Sequence, residues 1–356
     1  MTSSGRHPPT APRSGDRTLR LKQRAAGPAF PSRRAIRRDH LWPQHQGSIQ
    51  GQVRGFAAST AKHLTCPIRI APPIDQTQPL EGLVAHSPRR GPHPSSKTVI
   101  IHIPHASTEI PVEVLPQFVR SREDLQAEIL RSTDWLTDEL FSETGGVTIR
   151  YPVSRLVADP ERFSDDQDEP MAGVGRGAVY FNCTDGSPLR RTLSPTERRA
   201  LLDQFYHPHH QRLAEATSLE LATRGSALIV DAHSFPAQPW RIEPDRDPDR
   251  PDFCLGTDPF HTPSGLVTAA ERVLRDAGFS VAINRPYAGT MIPGREYRRN
   301  PYVTGIMVEL NRRIYLDEDR GRKNATFGCV KACVHTLCRT LWAWHASWVP
   351  PSSSRG

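Results

Sequence analysis

From residue 97 onward, short aliphatic and β-branched runs alternate with amphipathic stretches. The runs 98–103 (TVIIHI), 147–151 (VTIRY), 226–231 (SALIVD), 279–283 (FSVAI) and 303–310 (VTGIMVEL) read as strands. None alternates strictly with polar residues, which is the pattern of strands covered on both faces. Helices fall between them. Ser121 followed by Asp124 predicts a start for 122–142, with Leu125, Ile129, Leu136 and Leu140 on the apolar side. Ser194-Pro195-Thr196-Glu197 predicts a second start, for a helix that runs to Arg224 and stops at Gly225. Two more are expected over 264–277, ended by Gly278, and over 322–347. Strand–helix alternation of this kind predicts one α/β domain over 97–348 with a mostly parallel central sheet. Ligands of such sheets bind beyond the carboxyl ends of the strands.

The first 96 residues break this pattern. They carry 15 Lys and Arg against 4 Asp and Glu, and are interrupted by stretches such as GRHPPTAPRSG and HSPRRGPHPSS. Low apolar content with charge of one sign predicts a disordered or spurious leader, and an Arg-rich, acid-poor start also has the look of an organellar targeting segment. The remaining residues carry 31 basic and 34 acidic groups, so the overall +8 belongs to the leader. A near-neutral body argues against nucleic acid as its partner. A nucleic-acid binder acting through residues 1–96 is the rival of a different class, and deleting the leader separates the two. No run approaches the ~20 apolar residues of a membrane span. The six cysteines include no CxxC pair, which argues against a structural zinc knuckle and fits a reducing, cytoplasmic setting.

Listing what ends each strand points to chemistry. The first strand is followed by His105-Ala106-Ser107, and 226–231 by Ala232-His233-Ser234 after Asp231. The strand core 303–308 delivers Glu309, then Asn311 and Arg312, and 147–151 leads to Arg155, Asp159 and Arg162. Neutral imidazoles and carboxylates suit zinc, and a catalytic zinc keeps one position for water, whose pKa it lowers to about 7. A carboxylate beside it can move the proton, and arginines can hold substrate carboxylates or an oxyanion. His102 reads instead as a hydrogen-bonded core residue, turned away from the His105 loop by its place inside the strand. The YHPHH run at 206–210 reads as surface or substrate-facing histidine within a helix that Pro208 can kink. Asp134 and Asp138 read as solvated carboxylates one turn apart. No GxSxG elbow supports a serine hydrolase, although Ser107 and Ser234 lie near histidines.

The segments IPHAS, STDWLTDELF, PVSRLVADPERF, YHPHH, LIVDAHSF, NRPYAGT and GIMVELNRRIYLDE, in that order, resemble the N-formylglutamate amidohydrolases over roughly residues 98–345. The resemblance implies a three-layer α/β/α fold similar to that of the zinc carboxypeptidases. It implies zinc-dependent hydrolysis of the amide of an N-acyl amino acid, N-formyl-L-glutamate first, in a cytoplasmic enzyme of histidine degradation. It places zinc, or another divalent metal, on His105, Asp134 and His233, makes Glu309 the catalytic carboxylate, and gives Arg155, Arg162 and Arg312 to oxyanion and substrate carboxylates. Asn311, His210 and Ser234 complete the expected substrate contacts. The chain departs from the family in Ala106-Ser107 after the first histidine, and in Glu161, which brings a negative charge near these arginines. The alternative within the same fold is an amidase or peptidase acting on another N-acyl amino acid or a small peptide.

Overall fold

The computed structural model describes residues 99–349; the expected leader lies outside them. Six strands form the central sheet in the order β2-β1-β3-β6-β4-β5. They are β1 (Ile100–Ile103), β2 (Val147–Arg150), β3 (Ala227–Phe235), β4 (Phe253–Gly256), β5 (Val281–Ile283) and β6 (Val303–Asn311). All neighbours are parallel except β4 against β6, so the mostly parallel α/β sheet read from the alternation is present. The short β4 had no sequence signal. Its four residues follow a run of Asp, Arg and Pro and lie below the length at which periodicity speaks.

The central strands β1, β3 and β6 bury one face against each of two apolar cores. Ile101, Ile103, Val230, Ala232, Ile306 and Val308 pack with Leu266, Ala270 and Leu274 of helix α5 (Ser264–Asp276) and Val334, Leu337 and Leu341 of α6 (Phe327–Ser347). Ile100, Ile229 and Val303 pack on the other face with Leu213 of α4 (His207–Arg224). Successive side chains of a strand take opposite faces. On the α4 face, therefore, the series continues from Ile100 to His102, from Ile229 to Asp231 and His233, and from Val303 to Met307 and Glu309. The core turns polar as the strands approach their carboxyl ends.

Two expected helices are interrupted. The 122–142 segment forms α1 (Arg122–Ser132) and a short α2 (Thr137–Leu140), with Thr133 extended and Leu136 left-handed at φ 62° between them. Asp134 thus sits in a break and not on a helix face, and its N–H donates to the carbonyl of His105 at 2.9 Å. Asp138 alone behaves as expected, half-exposed and 3.1 Å from Arg150. The segment after Ser194 starts with the expected reciprocal cap to Glu197 as α3 (Pro195–Leu201), then widens into a π-turn over Leu202–Tyr206 before α4. Pro208 has no N–H to give the preceding turn, and the wider turn relieves that demand. Gly225 ends α4 at φ 76°, a left-handed conformation open to glycine. Cys183, Cys254, Cys333 and Cys338 are buried free thiols, whereas Cys329 is disulfide-bonded, which the scattered cysteines had not led us to expect.

A buried ion pair ties α1 to the loop beneath the site. Arg176 Nη1 lies 3.2 Å from Glu128 Oε1, and its guanidinium stacks 3.9 Å from the Tyr180 ring centroid. Thr184 completes the Glu128 carboxylate through its N–H and hydroxyl, at 2.8 and 3.0 Å. Arg176→Met is expected to destabilise the protein by about 3–5 kcal/mol, because Glu128 stays buried without its cation. Thermal unfolding should show a fall on the order of 10 °C for a domain of this size. A change of a degree or two would mean that the pair contributes little.

Candidate active site

His105 follows β1, Asp134 follows α1, and His233 lies inside β3, two residues further into the strand than the sequence pattern indicated. All three are buried and face one another. Asp134 Oδ2 lies 3.5 Å from His105 Nδ1 and 3.2 Å from His233 Nδ1. Ligands about 2.0–2.1 Å from a tetrahedral zinc are separated by about 3.3 Å. The Nδ1 of His105 is buried and has no hydrogen-bond partner among the described residues. The opposite nitrogens are taken: His105 Nε2–H donates to Asp159 Oδ1 at 2.8 Å, and His233 Nε2–H to Asp231 Oδ1 at 3.0 Å. A carboxylate behind each imidazole fixes its tautomer and leaves both Nδ1 lone pairs directed to one point. These residues fit a divalent metal.

The buried groups also set one another's charge, and a metal on His233 Nδ1 would take the place of the proton that Asp134 holds there. Burial alone would raise the Asp134 carboxyl, but the His105 and His233 imidazoles beside it hold it far below the usual carboxylate range. Burial likewise opposes ionisation of Asp159, and Arg155 and His105 overcome it. His233 is held well above an ordinary imidazole against its burial, by Asp231 and Asp134. Asp134 is thus an ionised carboxylate between two imidazoles.

A second cluster brings together His102, Glu161 and Asp231, all buried. Its contacts have a different character. Asp231 Oδ1 is 2.8 Å from His102 Nδ1 and 3.0 Å from His233 Nε2, and Asp231 Oδ2 accepts the Met291 N–H at 2.9 Å. These are hydrogen-bond lengths. His102 is therefore a hydrogen-bonded core residue, as expected, but it is joined to His233 through Asp231 and is not turned away from the site. Glu161 Oε1 lies 3.5 Å from His102 Nδ1 and 3.9 Å from His233 Nε2, so it sits beside the imidazoles and shares the cavity wall with Arg155 and Arg162.

A cavity of about 670 Å³ opens over the metal-type cluster. His105, Asp134, Arg155, Glu161, Arg162, His233, Ser234 and Glu309 line its polar side. Glu309 is the register partner of His233 across β3 and β6, so both leave the same sheet face into the cavity. Arg155 commits Nε and Nη2 to Asp159 Oδ2, at 3.2 and 2.7 Å, and Tyr180 OH also donates to that oxygen. Arg162 is held more loosely, with Nε 3.9 Å from Asp159 Oδ2 and no hydrogen bond to that Nε among the described residues.

Three expected substrate contacts are placed elsewhere. Arg312 uses Nη1, Nη2 and Nε on the Arg131 carbonyl, Asp134 Oδ1 and Ser234 Oγ, at 2.7, 3.2 and 3.2 Å. It anchors Asp134 and does not line the cavity. Asn311 is fully buried, accepts the Arg313 N–H and donates to the Pro251 carbonyl at 3.0 Å. His210 meets the Pro160 carbonyl at 2.9 Å and stacks on Tyr206, outside the cavity lining. In the same run His207 is exposed and His209 fully buried, against the surface-facing reading. The sequence signal for Asp159 was its position after a strand beside Arg155 and Arg162; its pairing with His105 had no local signature.

Comparison with known proteins supplies the context. The sequence profile of the family "N-formylglutamate amidohydrolase" matches residues 97–316. The chain is 28% identical over 257 residues to the N-formylglutamate deformylase of Pseudomonas aeruginosa, covering 69% of this chain and 93% of that protein. It is 28% identical over 237 residues to the deformylase of the same name from Pseudomonas putida, covering 64% and 84%. The fold is similar to the crystal structure of an N-formylglutamate amidohydrolase from Ralstonia eutropha JMP134, with TM-score 0.64, 23% identity, and 71% of this chain and 96% of the other covered. On the strength of the profile match, the chain belongs to the N-formylglutamate amidohydrolase family.

Proposed function

We propose that this protein hydrolyses the amide of an N-acyl amino acid, N-formyl-L-glutamate to formate and L-glutamate, with a divalent metal of the zinc type held by His105, Asp134 and His233. The observation that carries the reading is the pair of Nδ1 atoms, 3.5 and 3.2 Å from one ionised carboxylate oxygen, each backed by a second carboxylate. A zinc ion there would act as a Lewis acid on the amide carbonyl and make water acidic enough to attack near neutral pH. Glu309 takes the proton released by the attacking water and returns it to the departing nitrogen, so that the C–N bond breaks to a neutral amine. Arg155, pinned by Asp159 and Tyr180, offers its remaining guanidinium nitrogen to the developing oxyanion. Arg162 takes a carboxylate of the amino acid. Arg312 and Asn311 keep Asp134 and the end of β6 in place. We assign the catalytic unit to residues 97–348, with no part for a leader.

The test is direct: purified, metal-loaded protein should release formate from N-formylglutamate, and loss of that release after chelation should be reversed by zinc. No release from any N-acyl amino acid would refute the reading. Arg162→Ala should raise KM about 10–100-fold with a smaller change in kcat, the size of a charge-assisted hydrogen bond at 1.5–3 kcal/mol. An unchanged KM would take Arg162 out of substrate binding.

One observation favours a second reading within the same chemistry. The cavity is large for a formyl group, and Met171, Trp240, Ile242 and Tyr287 give its wall an apolar part. Pockets of ~300–1,000 Å³ commonly hold drug-sized ligands. An amidase for larger N-acyl groups would use that wall. A panel of N-formyl-, N-acetyl-, N-butyryl- and N-benzoyl-glutamate distinguishes the two: kcat/KM falling steeply with acyl size supports the formyl substrate, and a rise supports the larger one.

A further inference from the structure

The YHPHH run gives His209 no place in the chemistry above, yet His209 is fully buried and in hydrogen-bond contact with the site. On α4 the buried residues are His209, Leu213, Thr217 and Glu220, a stripe at helical spacing that faces the sheet. An imidazole at the head of this stripe meets His102 of β1, Nε2 to Nε2 at 2.8 Å. His102 in turn reaches Asp231 Oδ1 through Nδ1 at 2.8 Å, and Asp231 Oδ1 lies 3.0 Å from His233 Nε2. The chain His209–His102–Asp231–His233 therefore runs unbroken from the helix layer to the metal-type cluster.

Only one set of proton positions satisfies it with neutral imidazoles. A metal on His233 Nδ1 requires a proton on His233 Nε2, which donates to Asp231. Asp231 Oδ1 can then accept from His102 only if His102 carries its proton on Nδ1. That leaves a lone pair on His102 Nε2, so His209 must be the donor, protonated on Nε2 and bare on Nδ1. The surroundings agree. His209 Nδ1 has no hydrogen-bond partner among the described residues, and the Tyr151 ring packs edge-on at 5.0 Å. Burial, followed by the neighbouring charges of His102, His210 and Arg212, keeps the His209 imidazole neutral.

Building on the metal-site reading, we propose that His209 is a positioning residue: by donating to His102 it fixes the tautomer through which His102 holds Asp231, and so orients His233 toward the metal. Without this donor His102 is released to carry its proton on Nε2, which turns a lone pair toward Asp231 Oδ1. Asp231 then loses a donor and His233 its fixed orientation. Groups that orient metal-binding imidazoles are commonly worth 10–100-fold in metal affinity.

The test is the zinc dissociation constant, measured by competition with a chromogenic chelator on the full chain, in wild type, His209→Ala and His209→Gln. His209→Ala should weaken zinc binding about 10–100-fold, and His209→Gln, whose amide can still donate to His102, should recover most of it. A role confined to packing would lower the melting temperature of both variants and leave zinc affinity alike. His209→Ala that binds zinc within about twofold of wild type overturns the proposal, while wild type that binds no zinc overturns the metal reading and the proposal with it. Should His209→Ala fail to fold, ¹⁵N imidazole NMR of the zinc-loaded wild type decides. A proton on His102 Nδ1 alone supports the proposal, and a proton on His102 Nε2 overturns it.

Discussion

Replacing Glu309 by Gln is expected to lower kcat for N-formylglutamate by about 10²–10⁴-fold, the range of a lost general acid–base group, while zinc content stays at the wild-type level. The exchange removes a proton carrier and keeps the shape. Glu309 lines the cavity as the register neighbour of His233 on the same sheet face, but it is not among the three residues that close on the metal position. Binding and proton transfer should therefore separate. KM should move little, because the loss falls on the transition state and not on the bound substrate. Residual turnover within about threefold of wild type would remove Glu309 from proton transfer and turn attention to Glu161, the glutamate on the cavity wall that lies beside His102 and His233.

Asp134→Asn should have an effect of similar or greater size by a different route. The amide keeps the volume and can still accept from Arg312, now 3.2 Å from Asp134 Oδ1. What disappears is the negative charge between two Nδ1 atoms. A metal that contributes several kcal/mol to the transition state, at 1.36 kcal/mol per tenfold, implies a loss above about 10³-fold in kcat/KM, accompanied by loss of bound metal. Excess zinc should restore part of the activity of Asp134→Asn and none of that of Glu309→Gln. Both variants responding alike to zinc would merge two roles that the geometry separates.

How much of this could be read from the chain differs from element to element. The buried strands declared themselves because a strand covered on both faces must be apolar throughout, and β3 and β6 were located by that run, although both continue further than the run itself. Their last residues, Asp231–Phe235 and Glu309–Asn311, mix polar with apolar side chains while the hydrogen-bonded ladder goes on. His233 thus looked like a residue past a strand end and is a strand residue, as Glu309 is. Asp134 was misplaced for the opposite reason. Nothing in STDWL spells a helix break, since Asp134 leaves the helix through a tertiary bond from its N–H to the His105 carbonyl. The family resemblance made Arg312 and Asn311 substrate contacts, and a sequence does not tell an arginine facing a ligand from one holding a ligand's carboxylate. His209 had a usable signal in its four-residue spacing to Leu213 and Thr217, and was obscured by the polar neighbours around it.

The account depends on a metal gathered by two imidazole Nδ1 atoms and the carboxylate between them. Anomalous X-ray diffraction at the zinc edge, on crystals of the zinc-loaded full chain, tests it most directly. One strong peak is expected at about 2.0–2.2 Å from His105 Nδ1, His233 Nδ1 and an Asp134 oxygen. A protein that releases formate while showing no peak there, or a peak enclosed by His102, Asp231 and Glu161 instead, would contradict it.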